Sequence, residues 1–471
     1  MSDKTPRLAS ILRHLHQPRP SARIITLLLS FALLLSQSPL FAGDVKPSTY
    51  KGWNSLALTN NLIEVQIVPD IGGRVIQLKL GNFEYLWVNK QLAGKLPPPS
   101  GLGPKGEWLN YGGDKLWPAP QGWSGDDAWP GPPDAVLDGS PHAASVLTPV
   151  GSPVAIQLTS REDKRSGIQF SRVIRLYDNA ARVSFDTTMK NIDSKPRSWG
   201  IWQVTQLNVE SADGKGYNKN FRCFSPINPA SIFPRGYTEL FGLVNNPSFS
   251  ADRLRGLAVA HYQRRVGKMG ADNSAGWIAT IDGANGYAFV ERFTSYPARK
   301  YPDNASVTFW MSGPGQIVTS AVNDIPDDPI ETPYLVESEI VGPLTTLKPG
   351  ETTTFHLDWF VAKIGGNFPA LACTDAGLTC QPLVVAPNGA KSRLTGRFGV
   401  FYPGRADLVL LDRNRVECGR VNLNLRASPS EPLVLAHDVA LPPQAATVCL
   451  ILSHPLTAQN LGELARTTIM K

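Results

Sequence analysis

At 471 residues, with 42% hydrophobic and 18% charged side chains, the chain is long enough for more than one folded domain. Much of its formal net charge of +7 is N-terminal, where Lys4, Arg7, Arg13, Arg19 and Arg23 outweigh Asp3, so the rest carries about +3. Its other basic residues are scattered, and the densest cluster (Arg161, Lys164, Arg165) stands beside Glu162 and Asp163, which argues against a nucleic-acid surface.

In chain order, the first feature is a basic lead followed by an apolar run, Ile24 to Leu35, and then Leu40-Phe41-Ala42-Gly43. This is the pattern of a secretory signal, with cleavage expected after Ala42. Residues 1–42 are therefore read as a signal peptide and the mature protein as periplasmic or secreted. The competing reading is an uncleaved anchor, but the run is shorter than the ~20 residues that span a bilayer. No other segment approaches that length, so no membrane association is expected after cleavage.

The mature sequence alternates with period two. Ile63, Val65 and Ile67 oppose Glu64 and Gln66; Ile76, Leu78 and Leu80 oppose Gln77 and Lys79. Val154–Leu158, Ile168–Phe170 and Val183–Phe185 repeat the pattern. Strands at such intervals, punctuated by 41 glycines and 40 prolines, predict an all-β protein of sandwich or barrel type. Helix is minor, with a turn or two expected near Leu461–Arg466.

A boundary is expected around Gly365-Gly366-Asn367-Phe368-Pro369, giving a large β domain over 45–364 and a small β domain over 368–471. In the latter, strands are predicted near Ala390–Phe401, Ala406–Leu411, Arg420–Leu425 and Thr447–Ile451. Four of the five cysteines fall here. In an oxidising compartment, Cys373 with Cys380 and Cys418 with Cys449 is the expected pairing, although four cysteines allow three connectivities. Cys223 is left as a buried thiol.

The segment from Trp108 to Gly139 has neither strand nor helix period and reads as an irregular loop. It holds Trp108, Tyr111, Trp117, Trp123 and Trp129 among Asp114, Lys115, Gln121, Asp126, Asp127, Asp134 and Asp138. Long irregular segments in compact domains are usually functional. Flat aromatic faces suit the C–H face of a pyranose, and Asp114, Lys115 and Gln121 suit its hydroxyls. The competing reading is that these aromatics seal one end of the sandwich. The aspartates do not follow an EF-hand spacing, and no metal or cofactor is expected. No zinc-protease, nucleophile-elbow or nucleotide-loop motif occurs.

Tyr111-Gly112-Gly113-Asp114-Lys115-Leu116-Trp117-Pro118-Ala119-Pro120-Gln121 resembles the hallmark of a family of largely uncharacterised bacterial domains, similar in fold to galactose mutarotase (aldose 1-epimerase). Val68-Pro69-Asp70-Ile71-Gly72-Gly73-Arg74, Leu86-Trp87-Val88-Asn89, Leu137-Asp138-Gly139, Gly276-Trp277-Ile278-Ala279, Tyr301-Pro302-Asp303 and Glu337-Ser338-Glu339 match in order. The likeness spans about residues 50–363. It implies a galactose mutarotase-like β-supersandwich, followed here by the small C-terminal β-sandwich, with a sugar held on one sheet.

The resemblance also implies a carboxylate base, matched by Glu337 and next by Glu339, which share one face of a predicted strand. The acid histidine of a mutarotase has no counterpart in Gly200–Leu207, where Trp202, Gln203 and Gln206 offer sugar contacts instead. Of His142, His261, His356, His437 and His454, only His142 lies near the tryptophan-rich segment. Lys115 is the alternative donor. The expected function is therefore carbohydrate binding, with sugar epimerisation as the simplest chemistry. The alternatives are a non-catalytic sugar-binding or envelope module, and a lyase or hydrolase using the same fold with different acid and base groups; glycoside hydrolysis would need two opposed carboxylates.

Overall fold

A computed structural model describes residues 43–122, 128–318 and 322–469. The expected signal peptide, Trp123, Asp126 and Asp127 lie outside the described residues. Within them the fold is all-β, and the one helical element is a single 3-10 turn, Pro302–Asn304. No described helix is long and apolar enough to cross a membrane.

Two large antiparallel sheets, of thirteen and ten strands, carry the chain to Lys363. The predicted alternation is visible wherever one strand face meets the other sheet and one meets solvent. Ile168–Leu176 buries every second residue, so Phe170 and Ile174 enter the core while Gln169 and Arg175 do not. The main core lies between the sheets. Phe185, Leu357 and Trp359 of the ten-stranded sheet meet Val336, Ile340 and Phe309 of the thirteen-stranded sheet in one cluster. Full burial of each such side chain stabilises by about 1.5–3 kcal/mol.

Residues 372–468 build two four-stranded sheets around a second cluster that includes Leu394, Phe398, Leu408, Val448 and Leu452. A third cluster joins this part to the large sheets, with the rings of Phe360 and Phe401 stacked at 4.4 Å.

Three local expectations are corrected. The segment around Leu461–Arg466 is strand, within Asn460–Thr468, not helix. The segment read as irregular contains the strand Asp114–Ala119, buried at every position because both faces are covered, which erases the period-two signal.

The cysteines are free thiols. Cys449 pairs in register with Val409, while Cys418 lies on the strand flanking the other side of Gly404–Leu411. Two strand spacings, about 9.5 Å, exceed the Cα separation a disulfide spans. Cys373 faces Leu378, leaving Cys380 a diagonal neighbour, about 7–8 Å away and also out of reach.

Candidate functional site

The site is built on five strands that are neighbours in the thirteen-stranded sheet but not in sequence. They are Thr238–Phe241, Gly267–Ala271, Val307–Met311, Leu335–Val341 and Arg197–Asn208, with Asp114–Ala119 next beyond. One face of these strands meets the ten-stranded sheet: Ser338 donates to Glu291, and Arg172 donates to Asp114. The opposite face floors a cavity of about 420 Å³.

Register sets the floor. Phe241 pairs with Lys268, Lys268 with Trp310, Trp310 with Glu337 and Glu337 with Gln206. All five side chains line the cavity. Lys268 and Glu337 are two strands apart, about 10 Å between Cα atoms, with the Trp310 ring between them. One step along the strands, Glu339 pairs with Thr308 and Val204, and Val204 with Lys115. A further step brings Trp202 opposite Trp117, rings at 5.3 Å. Trp108 stands 6.0 Å from the Trp117 ring and walls the cavity.

Charges on this floor are paired. Lys115 Nζ donates to Glu337 Oε1 at 3.1 Å and sits 4.6 Å from the Trp117 ring centroid. Gln206 Nε2 donates to the same oxygen at 2.7 Å. Both hydrogen bonds to this carboxylate reach Oε1, and Oε2 has no protein partner among the described residues. Lys268 Nζ meets Glu339 Oε2 at 2.9 Å and lies 4.3 Å from the Trp202 ring centroid. Trp202 Nε1 donates to that oxygen at 2.8 Å, and Thr308 donates to it as well.

Burial pushes the Glu339 carboxyl above its ordinary range, partly offset by Lys268. Its Oε1 is buried without a partner among the described residues. Burial lowers the Lys115 ammonium, partly offset by Glu337.

The Gly112-Gly113 pair explains how the hallmark segment enters the sheet. Both glycines have positive φ, 95° and 71°. A Cβ on Gly112 would lie 2.2 Å from Trp87 O, and one on Gly113 2.5 Å from Val75 O. Arg74 anchors the turn, donating to Gly112 O at 3.2 Å and to Asp138 Oδ1 at 3.0 Å. Asp138 also accepts from Trp117 Nε1 at 3.1 Å, which fixes that indole.

Of the residues singled out in the sequence, Trp108, Trp117, Gln121, Trp202, Gln206 and Glu337 line the cavity. Lys115 and Glu339 lie directly beneath it, 2% and 0% exposed. Four sit elsewhere. Asp114 turns to the inter-sheet core, held by Arg172 and by Thr205 Oγ1 at 2.9 Å. Gln203 shares that inward face because it alternates with Trp202. Tyr111 is buried against Trp53 and Arg74. His142 packs on Gly73, and burial pushes its imidazole down to about 3, so it remains neutral and outside the cavity. Trp129 is also buried, donating to Asp134 at 2.9 Å.

Sequence reasoning missed Lys268, Trp310 and Phe241. Gly-Lys-Met-Gly-Ala carries no alternation, and nothing local marks Trp310 as facing a cavity. Among the described residues, no group of three or more His, Cys, Asp or Glu is placed to hold a metal ion.

Fold and site together define an all-β protein of two large antiparallel sheets with an aromatic, ion-paired cavity on the outer face of one of them. The chain belongs to the family described as Domain of unknown function (DUF4380), matched over residues 54–362. No curated protein sequence matches it.

Among solved structures it is similar to a TPR-domain containing protein from Parabacteroides distasonis, at 14% identity and TM-score 0.44, covering 67% of this chain and 48% of that one. The chain thus spans about half the length of that protein. It is also similar to galactose mutarotase-like proteins from Lactobacillus casei (14% identity, TM-score 0.40, 65% of this chain and 99% of that one) and Clostridium acetobutylicum (12%, 0.41, 68% and 99%). Likenesses at this level say nothing about chemistry.

Proposed function

We propose that this is an exported carbohydrate-binding protein whose cavity holds a sugar ring against Trp310, with Glu337 positioned to take a proton from a sugar hydroxyl. The observation that carries this reading is the row Gln206, Glu337, Trp310, Lys268 across the cavity floor. An indole flanked by an amide, a carboxylate and an ammonium offers an apolar plate for the C–H face and hydrogen bonds for the hydroxyls. Export rests on the sequence of residues 1–42.

In an anomeric exchange, Glu337 Oε2 takes the proton of the anomeric hydroxyl while the bond between the anomeric carbon and the ring oxygen breaks. Lys268 donates a proton to the ring oxygen as it leaves. Rotation about the bond from the anomeric carbon to its neighbour presents the other carbonyl face. Reclosure returns one proton to Lys268 and takes the other back from Glu337. A second reading, a non-catalytic sugar-binding module, is favoured by one observation: none of the described cavity-lining residues is a histidine.

The test is a thermal-shift screen of the purified protein against monosaccharides, uronic acids and short oligosaccharides, since a ligand of the folded state raises its stability. Hits are then followed by NMR exchange between anomers for wild type and Glu337→Gln. Stabilisation with accelerated exchange that Glu337→Gln abolishes supports the catalytic reading. Stabilisation without exchange supports the binding module. No stabilisation by any sugar overturns both.

A further inference from the structure

The cavity changes character along the strand direction. Leu335 comes two residues before Glu337 on its strand and Val266 two residues before Lys268, just ahead of Gly267–Ala271, and both line the cavity about 7 Å beyond the charged row. Above them stands the hairpin Gly315–Val318 and Val322–Ile325, from which Ile317 and Ile325 line the same cavity. Pro333 closes the wall. Its backbone neighbour Thr332 is fixed by Arg264, whose Nη2 also reaches Asp327 at 3.1 Å and whose guanidinium lies 4.5 Å from the Tyr334 ring centroid. Glu331 and Ser312 are the polar groups at this end.

A monosaccharide resting on Trp310 between Lys268 and Glu337 uses the indole and the charged row. It has little use for a chamber one row further on whose walls are mainly Val266, Leu335, Ile317, Ile325 and Pro333, because hydroxyl groups against those side chains would lose water without gaining partners. The chamber also lies within the same cavity, so the occupant of one half continues into the other.

We infer that the ligand is a glycoside carrying an apolar substituent of about phenyl size, its sugar on the Glu337–Trp310–Lys268 row and its substituent between Val266, Leu335, Ile317 and Ile325. This rests on the carbohydrate-binding reading above in its non-catalytic form, since a glycoside has no anomeric hydroxyl to exchange, and adds the chemical class of the sugar's substituent.

The experiment is calorimetric titration of the purified chain with matched methyl and phenyl glycosides of glucose, galactose and mannose. For the sugar that binds, the phenyl glycoside binds about tenfold more tightly or better than the methyl glycoside, as expected from burying an aromatic ring. Ile317→Ser and, separately, Ile325→Ser bring the phenyl glycoside down towards the methyl glycoside and leave the methyl affinity unchanged. Glu337→Gln weakens both, which ties phenyl binding to the sugar row and excludes adventitious sticking. Equal affinities for methyl and phenyl glycosides overturn this inference and leave the carbohydrate reading standing. Loss of methyl binding in both isoleucine variants also overturns it, since the chamber would then not be specific to the substituent. Failure of every glycoside to bind overturns the carbohydrate reading and this inference together.

Discussion

Lys115 and Glu337 stand 222 positions apart in the chain and meet at 3.1 Å beneath the cavity floor. Lys115 is almost fully enclosed, and its ammonium has the face of Trp117 on one side and the Glu337 carboxylate on the other. Removing either partner leaves a charge with little water to replace it.

Lys115→Met is therefore expected to cost about 3–5 kcal/mol, the usual penalty for breaking a buried pair from one side. Urea unfolding checks this. The double variant Lys115→Met/Glu337→Gln is expected to cost less than the sum of the single changes, because the second removes the charge that the first stranded. Strict additivity would show that the pair is not coupled.

Trp310→Ala is expected to lower sugar affinity roughly tenfold or more, since it removes the flat apolar surface between Lys268 and Glu337. Calorimetric titration with the sugar found in the screen reads this directly. Trp310→Phe, which keeps a ring, should recover part of the loss.

Glu291 lies between the sheets, accepts from Ser338 and is pushed up to about 8 by burial, with the nearby Asp114 adding to the shift. The native state thus holds a proton that the unfolded chain releases near 4.5. Stability is expected to fall as pH rises from about 4.5 to 8, with a contribution of up to about 1.4 kcal/mol per pH unit from this one group. Glu291→Gln should flatten that slope and match or exceed wild-type stability at pH 8, as read from urea midpoints across the range.

The His142 ring is held neutral, its pKa lowered to about 3 by burial and by the charges of Arg172 and Arg74. Its resonances are expected to stay constant between pH 5 and 8, and NMR of labelled histidine checks this. The unfolded chain protonates first, so the ring's contribution to stability is complete above about 6.5 and is lost as pH falls towards 3. A ring that titrated near 6.5 would return His142 to consideration as an acid.

All five cysteines should react with a thiol reagent after unfolding, and added reductant should leave the unfolding midpoint unchanged. Fewer than five reactive thiols would mean that a bridge forms despite the strand between Cys418 and Cys449 or the diagonal offset of Cys373 and Cys380.

Much of the fold was legible because one-sided burial writes alternation into a strand. Ile63–Val68 and Ile168–Leu176 were found this way, and within Leu335–Val341, the strand to which the family resemblance pointed, a spacing of two sufficed to set Glu337 and Glu339 on one face. Where both faces are covered the pattern vanishes. Asp114–Ala119 read as a loop for that reason, although it borders the site. The Leu461–Arg466 segment misled in the other direction, since local propensity there yields to pairing with Thr447–Ser453.

By itself the sequence determined the all-β class and the shared face of the two glutamates, because each depends only on neighbours in the chain. Tertiary structure alone decided that Glu337 meets Lys115 and Glu339 meets Lys268, that Trp310 lies between Glu337 and Lys268, and that Asp114, Gln203, Tyr111 and His142 turn away. The physical reason is strand order. The floor is assembled from strands distant in sequence, and no local pattern records which strand will lie beside which, or which face of a doubly buried strand will meet the cavity.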